Sequence, residues 1–479
     1  MTHPFPHSPD YAGHNAPMRV ECDIYDLVVE GEIPKEINGV WYRSIPDPQY
    51  PPRTGDDVFI SGDGMVNALF FEDGHADYKL RYVMSERLRS DRAARRSLFG
   101  RYRNPYTDDA SVREVDRGVY NTTPIYHGGR LLALKEDSVA MELDPFTLAT
   151  RGRFDFDGSL QSRTMTAHPR LDPDTGELYF FGYEANGLCS DDVAYCIADR
   201  RGQLISEQWF KVPYVSLMHD FAITKEHALF PVFPTTTSRE RLEAGEPHWH
   251  WDGTKPSYVG IMPRNGSVRD LRWFEGPPCF AYHVMNAFTE GNLVHLDLCV
   301  ADINMFPFIM TGGGYAYEPA RANARLARWT FDLAGADGTW RETVIGPGGD
   351  MPRVAPQDMN KPYRIGYMTA FDPRLDPPIP SGPTPAGFNC LLRLDLASGA
   401  IASWHQQGVT IQEPVFIASR QDAHEGYLAA IADLHASNTA QVLLFAAADL
   451  AAGPIARLHL PLRQRCGVHG NWVPAEAFV

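Results

Sequence analysis

The pattern of apolar and polar positions along the chain is that of short strands rather than of helices. Runs rich in β-branched and aromatic residues are separated by turn-forming residues. The clearest amphipathic helical periodicity lies in residues 85–99. The 40 Gly and 38 Pro residues are scattered along the chain instead of forming a linker. We therefore predict an all-β protein with a helical insert at about residues 85–110.

One hairpin pattern recurs: an apolar strand, a polar turn and a second strand, as in WTFDLAGADGTW and LRLDLASGAIAS. The turns are roughly 50 to 70 residues apart, which is the size of a four-stranded propeller blade with its loops. Seven turns follow this pattern, near Glu72, Asp144, Asp199, Pro263, Asp332, Asp395 and Ala448. The repeat predicts a seven-bladed β-propeller as a single domain over residues 1–479, with an irregular segment at 1–18.

Chemically distinctive side chains follow these turns by about 20 residues, a spacing that would place them on equivalent inner strands of a propeller. They are His168, His219, His283, His469, Asp350 and Glu413, with Glu136 after a delay caused by the helical insert. Because the inner strands of a propeller converge on its axis, we expect these side chains to form one site.

Four neutral imidazoles would leave two positions of an octahedral Fe(II) ion open, enough to accommodate dioxygen and water. Ligating histidines usually donate their second N–H to a carboxylate, and Glu136, Asp350 and Glu413 are candidates for that role. We therefore predict an Fe(2+) cofactor. Zinc closed off by four histidines, which would be a structural site, is the alternative.

The composition of the whole chain indicates which classes of partner and which cellular compartment to expect. A formal net charge of −16 argues against nucleic acid, because no basic stripe is available for the phosphates. Seven cysteines without a CxxC motif, and no signal peptide, are typical of reduced thiols in the cytoplasm. No apolar run is long enough for stable membrane insertion. The basic cluster Arg87 to Arg103 is predicted to be a solvated helix face, and contact with a membrane or with a second subunit is the alternative.

Several segments together resemble the carotenoid cleavage oxygenase family, most closely its bacterial lignostilbene-α,β-dioxygenase branch. They are SGDGMV (61–66), LKEDS (134–138), TAHPRLDPDTGEL (166–178), MHDFAIT (218–224), YHVMNAFTEGN (282–292), QEPVFI (412–417) and GVHGNW (467–472). The resemblance implies a seven-bladed propeller with a helical and loop cap over an axial Fe(II). It assigns the ligand role to the same four histidines.

The resemblance also implies outer carboxylates at Glu136 and Glu413, and a third at Asp350 in GDMPR, where the family usually has glutamate. The shorter Asp350 side chain leaves open whether it reaches a histidine directly or through a water. A set that recognises phenols in the lignostilbene branch maps onto Phe59, Tyr102 and Lys135. Adjacent strand residues point to opposite faces. Either the strand therefore ends before Lys135, or Lys135 reaches the cavity from above the metal.

The resemblance implies oxidative scission of one alkene into two carbonyl compounds with oxygen from O2. We expect the substrate to be a 4-hydroxystilbene that is cleaved to two aromatic aldehydes. Lys135 and Tyr102 would bind the phenol and favour its phenolate, and Phe59 would stack on a ring. A homodimer, or a heterodimer with a close paralogue, stays open.

Two other functions compete with this one. The first is cleavage of apocarotenoids by the same iron centre. Such a substrate would need an apolar tunnel and no lysine at the place where a phenol would bind. A propeller that serves only as a binding scaffold would hold no iron and consume no O2. Metal analysis and substrate profiling separate the three.

Overall fold

The computed structural model describes residues 4–311, 318, 321–420, 422 and 425–478. Strands dominate, and the α-helices within these ranges are Glu86–Ala94 and Arg239–Glu243. Short 3-10 turns occur at Pro9–Tyr11, Gly13–Asn15, Phe59–Ser61, Pro105–Thr107, Ala110–Val112, Val268–Asp270, Pro356–Asp358, Leu450–Ala452 and Ala475–Phe478. The predicted all-β class is confirmed.

One compact unit is formed by Met1–Asp155, Thr369–Leu392 and Ala402–Val479. Its sheet 1 has the strand order Cys22–Ile24, His75–Tyr82, Gly64–Glu72, Gly39–Pro46 and Gly470–Pro474. Sheet 2 has the order Thr123–His127, Arg130–Leu134, Ala140–Leu143 and Thr150–Phe154. Sheet 7 has the order Val28–Gly31, Ala456–Leu460, Thr439–Ala446, Gly426–Leu434 and Val409–Ile411, with Val415–Ala418 also paired to Gly426–Leu434.

A second compact unit is formed by Phe156–Met368 and Arg393–Ile401. Its sheet 3 has the order Arg170–Leu171, Leu178–Tyr183, Asp192–Ala198 and Leu204–Lys211. Sheet 4 has the order Ala222–Ile223, His227–Val232, Ser257–Pro263 and Arg272–Gly276. Sheet 5 has the order Phe280–Glu290, Leu293–Ala301, Arg325–Asp332 and Arg341–Gly348. A small three-stranded sheet contains Thr235–Thr236, His250–Trp251 and Met310–Thr311.

A further four-stranded sheet, sheet 6, has the order Asp350–Arg353, Ile365–Ala370, Cys390–Asp395 and Ala400–His405. With it, seven sheets of four or more strands lie within the described part of the chain. Each of the seven predicted turns falls between two antiparallel neighbours of one of these sheets. The predicted hairpins are therefore confirmed.

The recurring aspartate explains why the turns could be located from the sequence. Asp144 Oδ1 accepts hydrogen bonds from the backbone N–H groups of Phe146 and Thr147, at 3.0 and 2.8 Å. The carboxylates of Asp199, Asp332 and Asp395 accept from backbone N–H groups just ahead of them in the same way. A short acceptor that bonds its own backbone is a local turn signal.

The cores are made from the inward-facing residues of neighbouring sheets. In the first unit, Trp41 and Leu69 of sheet 1 belong to one fully buried cluster with Val442 of sheet 7. In the second unit, Phe274 of sheet 4 and Trp329 of sheet 5 share another. Burying a large apolar side chain contributes roughly 1.5–3 kcal/mol, so these clusters hold the sheets as packed layers.

Helix Glu86–Ala94 lies inside the predicted insert. Ser85 caps it by accepting from Leu88 N, and Arg95 ends it with a left-handed φ of 54°. Most of its arginines are at least partly exposed, whereas Arg87 is buried. Within the described residues, no helix has the length and apolar character needed to cross a membrane.

Candidate metal centre

Three histidines of the second unit converge. His168 Nε2 lies 2.9 Å from His219 Nε2, which lies 3.3 Å from His283 Nε2. Two imidazole nitrogens that bind one ion at about 2.1 Å and at a right angle would be about 3.0 Å apart. The observed separations therefore match neighbouring ligands of a single metal ion, and these donors fit the predicted cofactor.

All four predicted ligands lie at the edge strand of a sheet. His168 and His219 come just before Arg170–Leu171 and Ala222–Ile223, and His283 lies inside Phe280–Glu290. In the first unit, His469 directly precedes Gly470–Pro474. The four positions thus share a place at an edge strand, as equivalent positions of the predicted repeat would.

Two of the three predicted carboxylates also lie at the edge strand of a sheet, and the third does not. Asp350 begins the edge strand of sheet 6, and Glu413 lies between two short strands at the edge of sheet 7. Glu136 instead follows Arg130–Leu134, the second strand of sheet 2. Its predicted equivalence to the others is wrong, because the insert near residues 85–110 breaks the regular spacing from the preceding turn.

The Asp350 side chain reaches a histidine without a bridging water. His283 Nδ1 lies 2.9 Å from Asp350 Oδ1, and both side chains are buried. Asp350 Oδ1 also accepts from the Met351 N–H at 2.9 Å, which fixes the carboxylate. A proton on Nδ1 leaves the lone pair on Nε2 for a metal. The question left open by the sequence is thus decided in favour of direct contact.

His469 has a corresponding partner within the first unit. Its Nδ1 lies 2.7 Å from Glu413 Oε1, and Glu413 Oε2 accepts from the Gly470 N–H at 3.0 Å. Both oxygens of the carboxylate are therefore engaged. This arrangement again favours the tautomer whose Nε2 carries the lone pair. Glu136, also buried, lies 3.8 Å from the Arg103 guanidinium.

The His219 ring is held by a side chain that the sequence reasoning missed. Tyr282 stacks on it with ring centroids 3.7 Å apart and an interplanar angle of 22°. The sequence did offer a signal for this residue, because Tyr282 directly precedes the ligand candidate His283. Stacking restricts rotation of the imidazole, which keeps its Nε2 directed at the neighbouring nitrogens.

The structure brings two of the three predicted phenol-recognising side chains together, all within the first unit. The strand Arg130–Leu134 ends just before Lys135, so the first of the two alternatives for Lys135 is correct. Lys135 Nζ lies 5.2 Å from the centroid of the Tyr102 ring. Phe59 is buried, with the Arg465 guanidinium 4.0 Å from the centroid of its ring.

Lys135 is a buried ammonium with donors to spare. Its Nζ donates to Thr122 Oγ1 at 3.3 Å, and an ammonium has three donors. Lys135 takes part in none of the ion pairs of the described residues. Burial lowers its pKa from the ordinary value, while Glu136 and Asp137 act in the opposite direction. Such a group suits an anionic oxygen on a ligand.

Similarity to known proteins agrees with this site. Residues 15–474 match the family model described as "RPE65: Retinal pigment epithelial membrane protein". The chain is 41% identical to an isoeugenol monooxygenase of Pseudomonas nitroreducens, covering 97% of this chain and 98% of that protein. It is also 41% identical to lignostilbene-alpha,beta-dioxygenase isozyme III of Sphingomonas paucimobilis, covering 99% of each.

A solved structure extends the similarity to three dimensions. The crystal structure of Pseudomonas brassicacearum lignostilbene dioxygenase matches with a TM-score of 0.95 and 38% identity, covering 99% of this chain and 100% of that one. The predicted enzyme class, an oxygenase, is confirmed by these relatives. The chain belongs to the RPE65 family, that of the carotenoid cleavage oxygenases.

Proposed function

We propose that this protein is an Fe(II)-dependent dioxygenase that cleaves the central alkene of 4-hydroxystilbenes with O2, giving two aromatic aldehydes. The observation that carries the proposal is the convergence of three histidine Nε2 atoms of the second unit at the spacing of metal ligands. The relatives named for isoeugenol and lignostilbene support the reaction class. Both named compounds are phenols whose ring is conjugated with an alkene.

The proposed ligands are His168, His219, His283 and His469. In support, the three histidines of the second unit bring their Nε2 atoms to the spacing of metal ligands, and His469 of the first unit has the same Nδ1 contact with a carboxylate as His283. Four neutral imidazoles retain the +2 charge of the ion, and the buried carboxylates Asp350, Glu413 and Glu136 would offset it. When bound, ferrous iron with this donor set supplies redox chemistry with O2 at its open positions.

The proposed architecture is a seven-bladed propeller, formed as one domain and capped by the helical insert and loops over an axial metal. Support comes from the seven sheets of four or more strands found in the described ranges. The proposed partners are a phenolic stilbenoid and O2. The homodimer, the heterodimer with a close paralogue and the cytoplasmic location stay predictions from the sequence.

Lys135, Tyr102 and Phe59 are the proposed substrate-binding side chains. Lys135 and the Tyr102 hydroxyl would hydrogen-bond the phenol oxygen, and the buried ammonium would favour the phenolate, whose pKa in water is about 10. Charge on that oxygen is delocalised through the ring onto the alkene, which raises its nucleophilicity towards O2. Phe59 would stack on a substrate ring and orient the double bond.

Metal analysis combined with O2 uptake tests this proposal. The purified protein is assayed with a 4-hydroxystilbene, its 4-methoxy analogue and an apocarotenal. We expect about one iron per chain, and O2 consumption with the 4-hydroxy compound that matches formation of two aldehydes. Zinc in place of iron, or an absence of metal, would contradict the metal centre. Cleavage of the apocarotenal alone would show that the substrate class is wrong.

A further inference from the structure

A largely buried ion pair joins residues that are close in the chain to two of the three converging histidines of the second unit. Arg170 Nη2 lies 2.5 Å from Asp220 Oδ1, and the two side chains are 11% and 4% exposed. Arg170 comes two residues after His168, and Asp220 directly follows His219. The pair therefore links the backbone segments of two ligand candidates that are far apart in sequence.

The same carboxylate also holds the third segment. Asp220 Oδ2 accepts from the backbone N–H of Val284 at 2.8 Å, and Val284 directly follows His283. The pairing of strand Phe280–Glu290 with its neighbour shifts register on both sides of Val284. This irregularity gives the Val284 N–H a partner outside the regular ladder.

The remaining contacts make the network rigid. Asp220 Oδ1 accepts from the Phe221 N–H at 2.8 Å, and Arg170 Nε donates to the Phe221 carbonyl at 2.8 Å. The carboxylate thus accepts three hydrogen bonds, and the guanidinium is bonded at two of its nitrogens. Charge-assisted hydrogen bonds are about twice as strong as neutral ones, and removing one partner leaves a buried charge uncompensated.

We propose that Asp220, clamped by Arg170, is a positioning residue that sets the mutual spacing of His168, His219 and His283. The inference rests on the proposed metal centre. Asp220 acts through the backbone, because its contacts are with residues one or two positions away from each histidine.

Metal binding tests this role without relying on turnover. Metal-free wild type and Asp220→Asn are titrated with Co²⁺ alone, and the dissociation constant and the visible ligand-field bands are recorded. Asparagine keeps the size but replaces one acceptor oxygen with an amide donor. We expect about 10- to 100-fold weaker Co²⁺ binding and shifted bands, as for other residues that orient metal ligands.

Asp297→Asn is the matched control. Asp297 is a fully buried carboxylate of the same unit that accepts from Arg328 Nε and Nη2, at 2.8 and 2.7 Å, and from the Tyr363 hydroxyl at 2.7 Å. Losing one of those contacts should reduce thermal stability, as we also expect for Asp220→Asn, while leaving the Co²⁺ affinity and spectrum unchanged. A purely structural role for Asp220 would make the two variants behave alike.

Arg170→Lys keeps the inference testable if Asp220→Asn does not fold. Lysine retains the charge but lacks the planar fork that bonds Asp220 and the Phe221 carbonyl together. We expect Arg170→Lys to weaken Co²⁺ binding by a smaller factor than Asp220→Asn. If the folded Asp220→Asn or Arg170→Lys variant keeps the wild-type Co²⁺ affinity and spectrum, the positioning role of Asp220 is refuted, whereas the proposed metal centre is not. A wild-type protein that binds no Co²⁺ would instead overturn the metal centre, and this inference with it.

Discussion

Replacing Lys135 by methionine should separate the recognition of the phenol from the metal chemistry. Methionine fills a similar volume but carries no charge and donates no hydrogen bond. Lys135 is 3% exposed and bonds Thr122, so the substitution leaves one neutral hydroxyl without its donor. The fold and the iron site should survive this change.

The expected size of the effect follows from the ammonium in a buried environment. A charge pair about 4 Å apart is worth about 4 kcal/mol at an effective dielectric constant near 20. At about 1.4 kcal/mol per pKa unit, the bound phenol would titrate near 7 instead of near 10. At pH 7.5 the ionised fraction would then fall roughly 200-fold in Lys135→Met, and kcat/KM should fall with it.

The assay compares two substrates on two proteins. kcat/KM is measured for a 4-hydroxystilbene and for its 4-methoxy analogue, together with the iron content of each preparation. The wild type should cleave the 4-hydroxy compound far faster, whereas Lys135→Met should cleave both slowly. Because burial lowers the Lys135 pKa, wild-type activity should also fall on the alkaline side below the ordinary lysine value of 10.5.

Three results would count against this reasoning. If the wild type cleaves the methoxy analogue as fast as the phenol, ionisation of the substrate plays no part in the reaction. If Lys135→Met loses its iron, the lysine stabilises the site rather than recognising the substrate. An equal loss of activity on both substrates with full iron content would also argue against a phenol-specific role.

Three further predictions concern the metal and the pH dependence of stability. His219→Ala should lose iron and turnover together, and iron retained in the purified variant would contradict its ligand role. Glu413→Gln keeps an acceptor for His469 Nδ1 but removes the charge, so iron binding should weaken about 10- to 100-fold in competition with a chelator; unchanged affinity would show that the charge is not needed. Burial lowers the pKa of His435 from 6.5 to about 4, so the unfolded chain binds more protons than the native one, and stability falls as the pH drops from 6.5 towards 4. His435→Gln should remove up to about 3 kcal/mol of that acid sensitivity, at about 1.4 kcal/mol per pKa unit, measured as Tm against pH. An unchanged slope would contradict it.

Much of the fold could be predicted from the sequence because it depends on interactions between residues that are close together in the chain. The aspartates at the turns, such as Asp144 and Asp395, bond backbone N–H groups a few residues ahead. Such contacts depend only on neighbours in the chain, so the turns could be placed without knowing the fold. The even spacing of the turns then indicated equivalent positions for the histidines.

The contacts of the carboxylates were decided by the tertiary structure. The sequence left open whether Asp350 reaches a histidine, and its position at the start of an edge strand brings it within 2.9 Å of His283 Nδ1. Glu136 followed a different strand from the one that the spacing suggested. An insertion shifts the count of residues but leaves the sheet intact, so spacing alone could not detect the change.

The sequence by itself determined the strand-rich class, the seven hairpin turns and the set of candidate ligands, since all of these depend on residue types and on spacing along the chain. Only the tertiary structure decided which side chains touch. Arg170 and Asp220 are 50 positions apart, and Asp220 and Val284 are 64 apart. Their hydrogen bonds exist because separate sheets bring their edge strands together, and hydrogen bonds form over distances in space rather than along the chain.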